Sequence, residues 1–401
     1  MRLSGGRPVS GLPHVLQEVL WPRIGLCMIV KNEAPIIRRC LENVQPLADY
    51  VLIVDTGSTD GTQAAIRRFL HERSVPGEVI EEPWRDFAYN RSFALQKLRE
   101  HRDIDYGLMI DADEVLVYEP GFEPKRFKQG LTLDLYDIET RYGNISYTRP
   151  QLFSNRLDFC YKGVLHEYLD GPPPLSRARA SGFFNRPLQD SARSHNPQKF
   201  QDDARLLEAA LAEETDPFLI SRYTFYLAQS YRDSGDHAPA LQAYLRRAGQ
   251  GFWREEVFVS LLNAARLKER LGHEAAEIVQ AFMAAHESLP NRLEGLHGAA
   301  RICRIHNLYQ QGYILARHAL RLPPPATGLF VEAWIADYGL RDEYAVLAYW
   351  TGHYRETFDI CLQLLKENRA PANYRPRLRQ NAEFAISKLN QPELAKLIPA
   401  I

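Results

Sequence analysis

Apolar runs and apolar stripes alternate along the first hundred residues. Ile24 to Val30 (IGLCMIV) is short and wholly apolar, as a buried strand is. Pro35 follows at a first-turn position, where its missing N–H does no harm. Ile36, Ile37, Cys40, Leu41 and Val44 then recur at helical spacing. The pattern repeats with Tyr50 to Val54 as strand and Ala65, Ile66, Phe69 and Leu70 as stripe. Val79-Ile80 reads as a weaker strand, and Arg91 to Arg99 as a helix with Ala94, Leu95 and Leu98 on one face. Leu108-Met109-Ile110 makes a fourth strand within YGLMIDADEVL. Four such alternations predict a largely parallel sheet covered on both faces. Beyond it, Leu131, Leu133 and Leu135 alternate with polar residues, the mark of a half-exposed strand. Residues 149–155, 159–162 and 163–168 read as further strands, and Pro172 to Pro174 with residues 176–194 as loop. Residues 1–22, rich in Gly and Pro, read as an irregular lead-in.

From Phe200 the periodicity is helical throughout. Ala228, Ala265, Ala300 and Ala345 are each followed seven residues later by Gly235, Gly272, Asn307 and Gly352. The units are offset by 37, 35 and 45 residues, the last lengthened by Pro323 to Gly328. A small residue, a Gly or Asn turn and a second helix at near-34 spacing resemble the tetratricopeptide pattern. Small residues let paired helices approach, and Gly or Asn supplies the left-handed turn. The chain therefore divides, on this reading, into a lead-in at 1–22, an α/β domain at 23–198 and an all-helical repeat domain at 199–401. Aromatics are dense here (Tyr223, Phe225, Tyr226, Tyr231, Tyr244, Phe252, Trp253) and belong mostly to core, with an acceptor groove or a dimer face as the functional alternative.

With 49 basic and 50 acidic residues the net charge is −1, so no strong field draws nucleic acid or an anionic membrane. Five scattered cysteines without a CxxC pair suggest a reducing compartment, with Cys27 and Cys40 as core thiols. There is no apolar signal region and no run of about 18 apolar residues. The chain reads as cytoplasmic and not transmembrane, with peripheral attachment to a membrane left open.

The chemistry gathers at strand ends, where ligands bind in open α/β sheets. Three polar tips, Lys31-Asn32-Glu33, Asp55-Thr56-Gly57-Ser58 and Asp111-Ala112-Asp113-Glu114, should converge on one edge. An extended backbone would put Asp111 and Asp113 on one side, where two like charges repel unless a hard cation such as Mg²⁺ or Mn²⁺ sits between them or one takes a proton. Asp55 could accept from a ribose hydroxyl or a base N–H, while Asp60 and Thr62 read as capping residues. The loop has neither GxGxxG nor a GK[ST] phosphate loop, which tells against a dehydrogenase and a P-loop ATPase.

In combination, LCMIVKNE, VLIVDTGSTDGT and DADE resemble glycosyltransferase family 2 with its GT-A fold, a Rossmann-like, mostly parallel sheet, over about residues 22–200. The resemblance implies a nucleotide-sugar donor, UDP-sugar favoured, held at the nucleoside by Glu33 and Asp55. It implies Asp111 near the ribose or metal and Asp113 as ligand of Mn²⁺ or Mg²⁺. DFAYNRS at 86–92 is similar to the family's DF…RN segment, with Arg91 toward the diphosphate and Ser92 in place of the usual asparagine. Gly163 to Glu167 resembles the family's G…HE pair, which implies His166 as a third metal ligand, with a packed histidine as the other reading. Inverting transfer also needs a base. Glu167 is nearest, although strand alternation would turn it away from His166, and Asp158 and Asp170 are rivals. Arg193, His195 and Lys199 could touch phosphate or be ordinary polar surface. The acceptor, whether glycan, lipid-linked sugar or peptide, is not legible, nor is homodimerisation through the repeats. Two other readings are a non-catalytic repeat scaffold with a retired transferase domain, which the intact acids oppose, and a phospho-acceptor receiver, whose acidic pair and lysine are not arranged here.

Overall fold

A computed structural model describes residues 21–143, 145–323 and 328–399. The expected lead-in falls almost wholly outside these residues, as does most of the proline-rich insertion after Pro323. The chain forms two compact units, residues 1–196 and 197–401.

The first unit is built on one mixed, mostly parallel sheet. Its elements are β1 (Ile24–Val30), α1 (Ile37–Val44), β2 (Tyr50–Asp55), α2 (Thr62–Arg73), β3 (Gly77–Glu81), α3 (Phe87–Glu100), β4 (Tyr106–Met109), β5 (Glu114–Tyr118), α4 (Pro124–Gln129), β6 (Leu135–Tyr142), β7 (Ile145–Ser154), β8 (Cys160–Lys162), β9 (Tyr168–Asp170), β10 (Arg177–Arg179) and β11 (Phe183–Pro187). The strand order is β3-β2-β1-β4-β7-β6-β11-β5, with β10 beside β6 and a separate β8–β9 pair. β3, β2, β1 and β4 run parallel. Val30 lies opposite Asp55 and Asp55 opposite Glu81, so the polar tips end level. Strand alternation divides the core between the two faces. Leu26 and Met28 pack with Ile37, Leu41 and Ile66 on one side, and Cys27, Leu52 and Val54 pack with Ala94, Leu95 and Leu98 on the other.

Four expectations are corrected. β4 ends at Met109, and Asp111 to Glu114 form a turn closed by the Glu114 N–H on the Asp111 carbonyl at 3.0 Å, so strand alternation does not place the two aspartates. Residues 131–134 are not strand, because the Thr132 and Leu133 N–H groups donate to the Tyr136 hydroxyl at 2.8 and 3.1 Å. Residues 163–167 are a bend with Gly163 at φ 99° and His166 at φ 52°. The stretch expected as loop at 176–194 contains β10 and β11, and β11 fills the sheet between β6 and β5.

The second unit is a row of helices: α5 (Lys199–Glu213), α6 (Pro217–Ser234), α7 (His237–Ala248), α8 (Arg254–Arg270), α9 (Ala275–Ser288), α10 (Glu294–Ile305), α11 (Tyr309–Ala319), α12 (Leu340–Trp350), α13 (Tyr354–Glu367) and α14 (Arg375–Leu389). Helices α6 to α13 pair as four successive tetratricopeptide-like hairpins. Ala228, Ala265, Ala300 and Ala345 are all 0 % exposed in the first helix of each. Gly235, Gly272, Asn307 and Gly352 hold the left-handed turn after it, at φ 91°, 76°, 60° and 84°. Tyr223, Phe225 and Tyr244 are core, whereas Phe252 and Trp253 are exposed.

Candidate active site at the carboxyl edge of the sheet

Asp55 closes β2 and is 1 % exposed. Its Oδ1 accepts from the Gly57 N–H at 2.9 Å and the Ser58 N–H at 2.7 Å, which folds the loop back on the strand. Gly57 stands at φ 110°, a conformation that costs glycine little. The other oxygen, Oδ2, is buried and has no hydrogen-bond partner. Leaving such an acceptor unsatisfied costs about 1–3 kcal/mol, so a donor that reached it would stabilise the loop.

The tip of β1 is knitted to this loop. The Asn32 N–H donates to Ser58 Oγ, and the Thr59 N–H to Asn32 Oδ1, both at 2.8 Å. The Glu33 N–H donates to Thr62 Oγ1 at 2.8 Å, and the Ala34 N–H to Asp60 Oδ2 at 3.0 Å. Asp60 and Thr62 are therefore braces between two loops. The N-cap of α2 is Gly61, and Asp60 Oδ1 takes the Thr62 N–H at 3.0 Å. The buried Glu33 carboxyl accepts from the Ala192 N–H at 3.4 Å. Burial pushes it up to about 7 against that N–H, and the charges of Asp113, Asp60 and Asp111 add to the rise.

The DADE turn splits its acids by role. Glu114 points inward as a buried brace. It pairs with Arg149, and its Oε2 accepts from the Asp111 N–H at 3.0 Å and Gln151 Nε2 at 3.4 Å. Burial alone would raise the Asp111 carboxyl, but Arg91 and Arg149 hold it below its ordinary value. Asp113 is pushed up by burial first and by Asp111 second.

Arg91 sits within α3 and is 8 % exposed. Its Nη2 donates to Asp111 Oδ1 and its Nε to Glu167 Oε1, each at 2.6 Å. The expected diphosphate arginine is thus committed to two of the other site residues. Glu167 is drawn to the site by this pair. Because residues 163–167 bend, alternation says nothing about where Glu167 points relative to His166, which is exposed on the same bend. Asp158 and Asp170, the rival bases, pair with Arg99 at 2.9 Å and Lys162 at 2.6 Å.

Among the described residues no group of three or more His, Cys, Asp or Glu side chains forms a ready metal cage. Asp113, Asp111 and His166, the expected ligands, are not gathered as one, and Arg91 pairs with one oxygen of Asp111. The chemistry still fits a hard cation. Burial raises both Glu33 and Asp113, the charge of Asp113 adds to the rise at Glu33 and that of Asp111 to the rise at Asp113, and a divalent ion among these acids would relieve it.

Sequence reasoning missed the Glu114–Arg149 brace and the segment after β11. Arg39 grips Asp190 with two bonds of 2.5 and 2.9 Å, and the Leu188 N–H donates to the Asp113 carbonyl at 2.8 Å. These partners lie far apart in the chain, and no local pattern announces them. Arg193 packs over the Phe87 ring at 4.9 Å, His195 Nδ1 meets the Ser191 carbonyl at 2.9 Å, and Lys199 lies 5.8 Å from the Phe200 ring, so the structure gives each a local partner.

Residues 26–120 match the model of the family described as glycosyl transferase family 2. The chain is 31% identical over 153 residues to a TPR repeat-containing protein of Synechococcus elongatus, covering 37% of this chain and 36% of that one. It is 31% identical over 142 residues to an uncharacterized glycosyltransferase of Rickettsia bellii, covering 35% and 45%. With the lipopolysaccharide core biosynthesis glycosyltransferase LpsC of Rhizobium meliloti it shares 36% identity over 89 residues, 22% of this chain and 31% of that one. The chain thus spans from 31% to 45% of the length of these relatives. Among solved structures, a tetratricopeptide repeat protein from Parabacteroides merdae superposes with a TM-score of 0.36 at 19% identity, over 49% of this chain and 70% of that one. Among the described residues no helix is long and apolar enough to cross a membrane.

Proposed function

We propose, from the glycosyltransferase family 2 domain at residues 26–120, that this chain moves a sugar, with inversion, from a nucleotide-sugar to an acceptor hydroxyl or thiol. The observation that carries the reading is Asp55, buried at the carboxyl edge with one oxygen satisfied by its own loop and the other waiting for a donor. The N3–H of uracil would supply that donor; thymine carries the same group, and a UDP-sugar is taken as the leading donor on the family resemblance. Glu33 completes the nucleoside end and Asp111 faces the ribose. Asp113 would hold Mn²⁺ or Mg²⁺, with Asp111 and His166 as the further ligands drawn in around the ion, and the metal would offset the charge of the departing diphosphate. Glu167 takes the acceptor proton. In the helical unit, a cavity of about 580 Å³ lined by Glu208, Leu211, Leu227, Tyr231, Gln242 and Arg246 suits part of a glycan, lipid-linked or peptide acceptor.

A thermal-shift screen with UDP-, GDP-, CMP- and dTDP-sugars, with and without Mn²⁺, tests this. A ligand at about a hundred times its Kd adds about 2.7 kcal/mol to the native state. The expected result is a rise in melting temperature with a UDP-sugar in Mn²⁺, whose metal-dependent part is lost in Asp113→Ala. No rise with any donor in a folded sample overturns the proposal, and a rise with another nucleotide corrects the base.

A further inference from the structure

Arg91 does something a diphosphate contact need not do. One buried guanidinium grips two carboxylates, Asp111 through Nη2 and Glu167 through Nε, both at 2.6 Å. Its ring neighbour is Tyr161, 5.7 Å away. The helix that carries it is pinned on both sides. Asp86 caps α3 by accepting the Tyr89 N–H at 2.8 Å, and the buried Asn90 accepts from the Arg85 N–H at 3.0 Å and donates to the Pro83 carbonyl at 3.2 Å. On the other side, Ser92 Oγ accepts from the Tyr161 N–H at 2.8 Å, which ties α3 to β8. Glu167 itself lies between β8 and β9, outside the strand ladder, on a bend whose Val164 carbonyl accepts from the Phe87 N–H at 3.4 Å. A charge-assisted pair from a rigid helix is what fixes it.

We propose that Arg91 is a positioning residue for the transfer step, holding Glu167 in place by the same group that holds Asp111. This rests on the glycosyltransferase reading above. The acceptor O–H or S–H proton goes to the Glu167 carboxylate. The acceptor atom bonds to the anomeric carbon as the bond from that carbon to the diphosphate oxygen breaks, and the electron pair leaves with the nucleoside diphosphate. Arg91 touches none of the reacting atoms. It sets the distance between the acid that receives the proton and the acid beside the donor, and a misplacement of about 1 Å there costs on the order of a hundredfold in rate. Lysine keeps the charge but not the fork, so it can serve one carboxylate at a time.

The test uses the full chain as Arg91→Gln, Arg91→Lys, Glu167→Gln and the Arg91→Gln/Glu167→Gln double variant. Calorimetry with Mn²⁺ reads the affinity for UDP and uridine. UDP release in water from UDP-glucose, UDP-galactose and UDP-N-acetylglucosamine gives kcat and KM. Arg91→Gln is expected to hold UDP within about threefold of the unaltered chain and to lose about a hundredfold or more in kcat at little-changed KM. Arg91→Lys regains part of that kcat, and the double variant falls no lower than Glu167→Gln alone, as residues acting as one unit should. If Arg91→Gln does not fold, Arg91→Lys carries the same split, with kcat lowered and KM kept. A tenfold or greater loss of UDP but not uridine affinity makes Arg91 a diphosphate contact and overturns the proposal alone. So does a double variant well below Glu167→Gln. An unaltered, folded chain that binds no UDP overturns the donor reading and takes this proposal with it.

Discussion

Asp55 is decided by one oxygen. Oδ1 shapes the loop and Oδ2 has nothing to accept from. Asp55→Asn keeps an acceptor for the Gly57 and Ser58 N–H groups and puts an amide donor where the lone oxygen stood. Uridine or UDP binding should then weaken by about tenfold or more, from the 1–3 kcal/mol of a lost and opposed hydrogen bond. The melting temperature should not fall, because the buried oxygen that is replaced had no partner. Calorimetry and a melting curve on the one variant check both. In the helical unit, His297 lies edge-on to Trp334 at 5.1 Å, with Arg301, Glu332, Arg266 and Arg304 around it. Burial pushes its pKa down to about 4. The folded imidazole stays neutral to about pH 4, whereas the unfolded one takes a proton below about 6.5. Between those values the unfolded chain binds the extra proton, so stability falls as pH falls, by up to about 1.4 kcal/mol per pH unit. Urea unfolding at pH 7, 6 and 5 should show this slope reduced in His297→Gln; an unchanged slope would mean that His297 does not titrate on unfolding.

At the scale of elements, glycine does two separate jobs. Gly235 stands at φ 91° with open space where a Cβ would go, so Gly235→Ala costs only the left-handed conformation, about 1 kcal/mol. A Cβ on Gly298 of α10 would meet the Phe282 ring of α9 at 2.3 Å. Gly298→Ala should cost about 1–3 kcal/mol despite alanine's better helix propensity, because the two helices must part or the ring must turn. Urea midpoints rank the two, and equal losses would deny the close approach. The same physics explains what the sequence revealed. Ala228 and its three counterparts, with their turn residues, were legible as a repeat because each unit must solve one packing problem in one way. β1, β2 and β4 were legible because strands covered on both faces are continuous apolar runs. β10 and β11 were not, since Arg177–Arg179 and Phe183–Pro187 are short, partly polar and bonded to strands far off in the chain.

For the whole molecule, the level register of β1, β2 and β3 brings Glu33 and Asp55 to one edge, and β4 delivers Asp111 and Asp113 beside them. The sequence pointed to these acids but not to how they are divided. Asp111 to Arg91, Glu114 to Arg149 and Glu33 to the Ala192 N–H are pairings made by tertiary folding. The proposed function stands or falls on whether this edge takes a nucleotide. The measurement that tests it most directly is a calorimetric titration of the full chain with UDP in Mn²⁺, repeated with Asp55→Asn. The account predicts saturable one-site binding to the unaltered chain and a loss of at least about tenfold in the variant. A folded chain that gives no heat with UDP, or a variant that binds UDP as well as the unaltered chain, would contradict it.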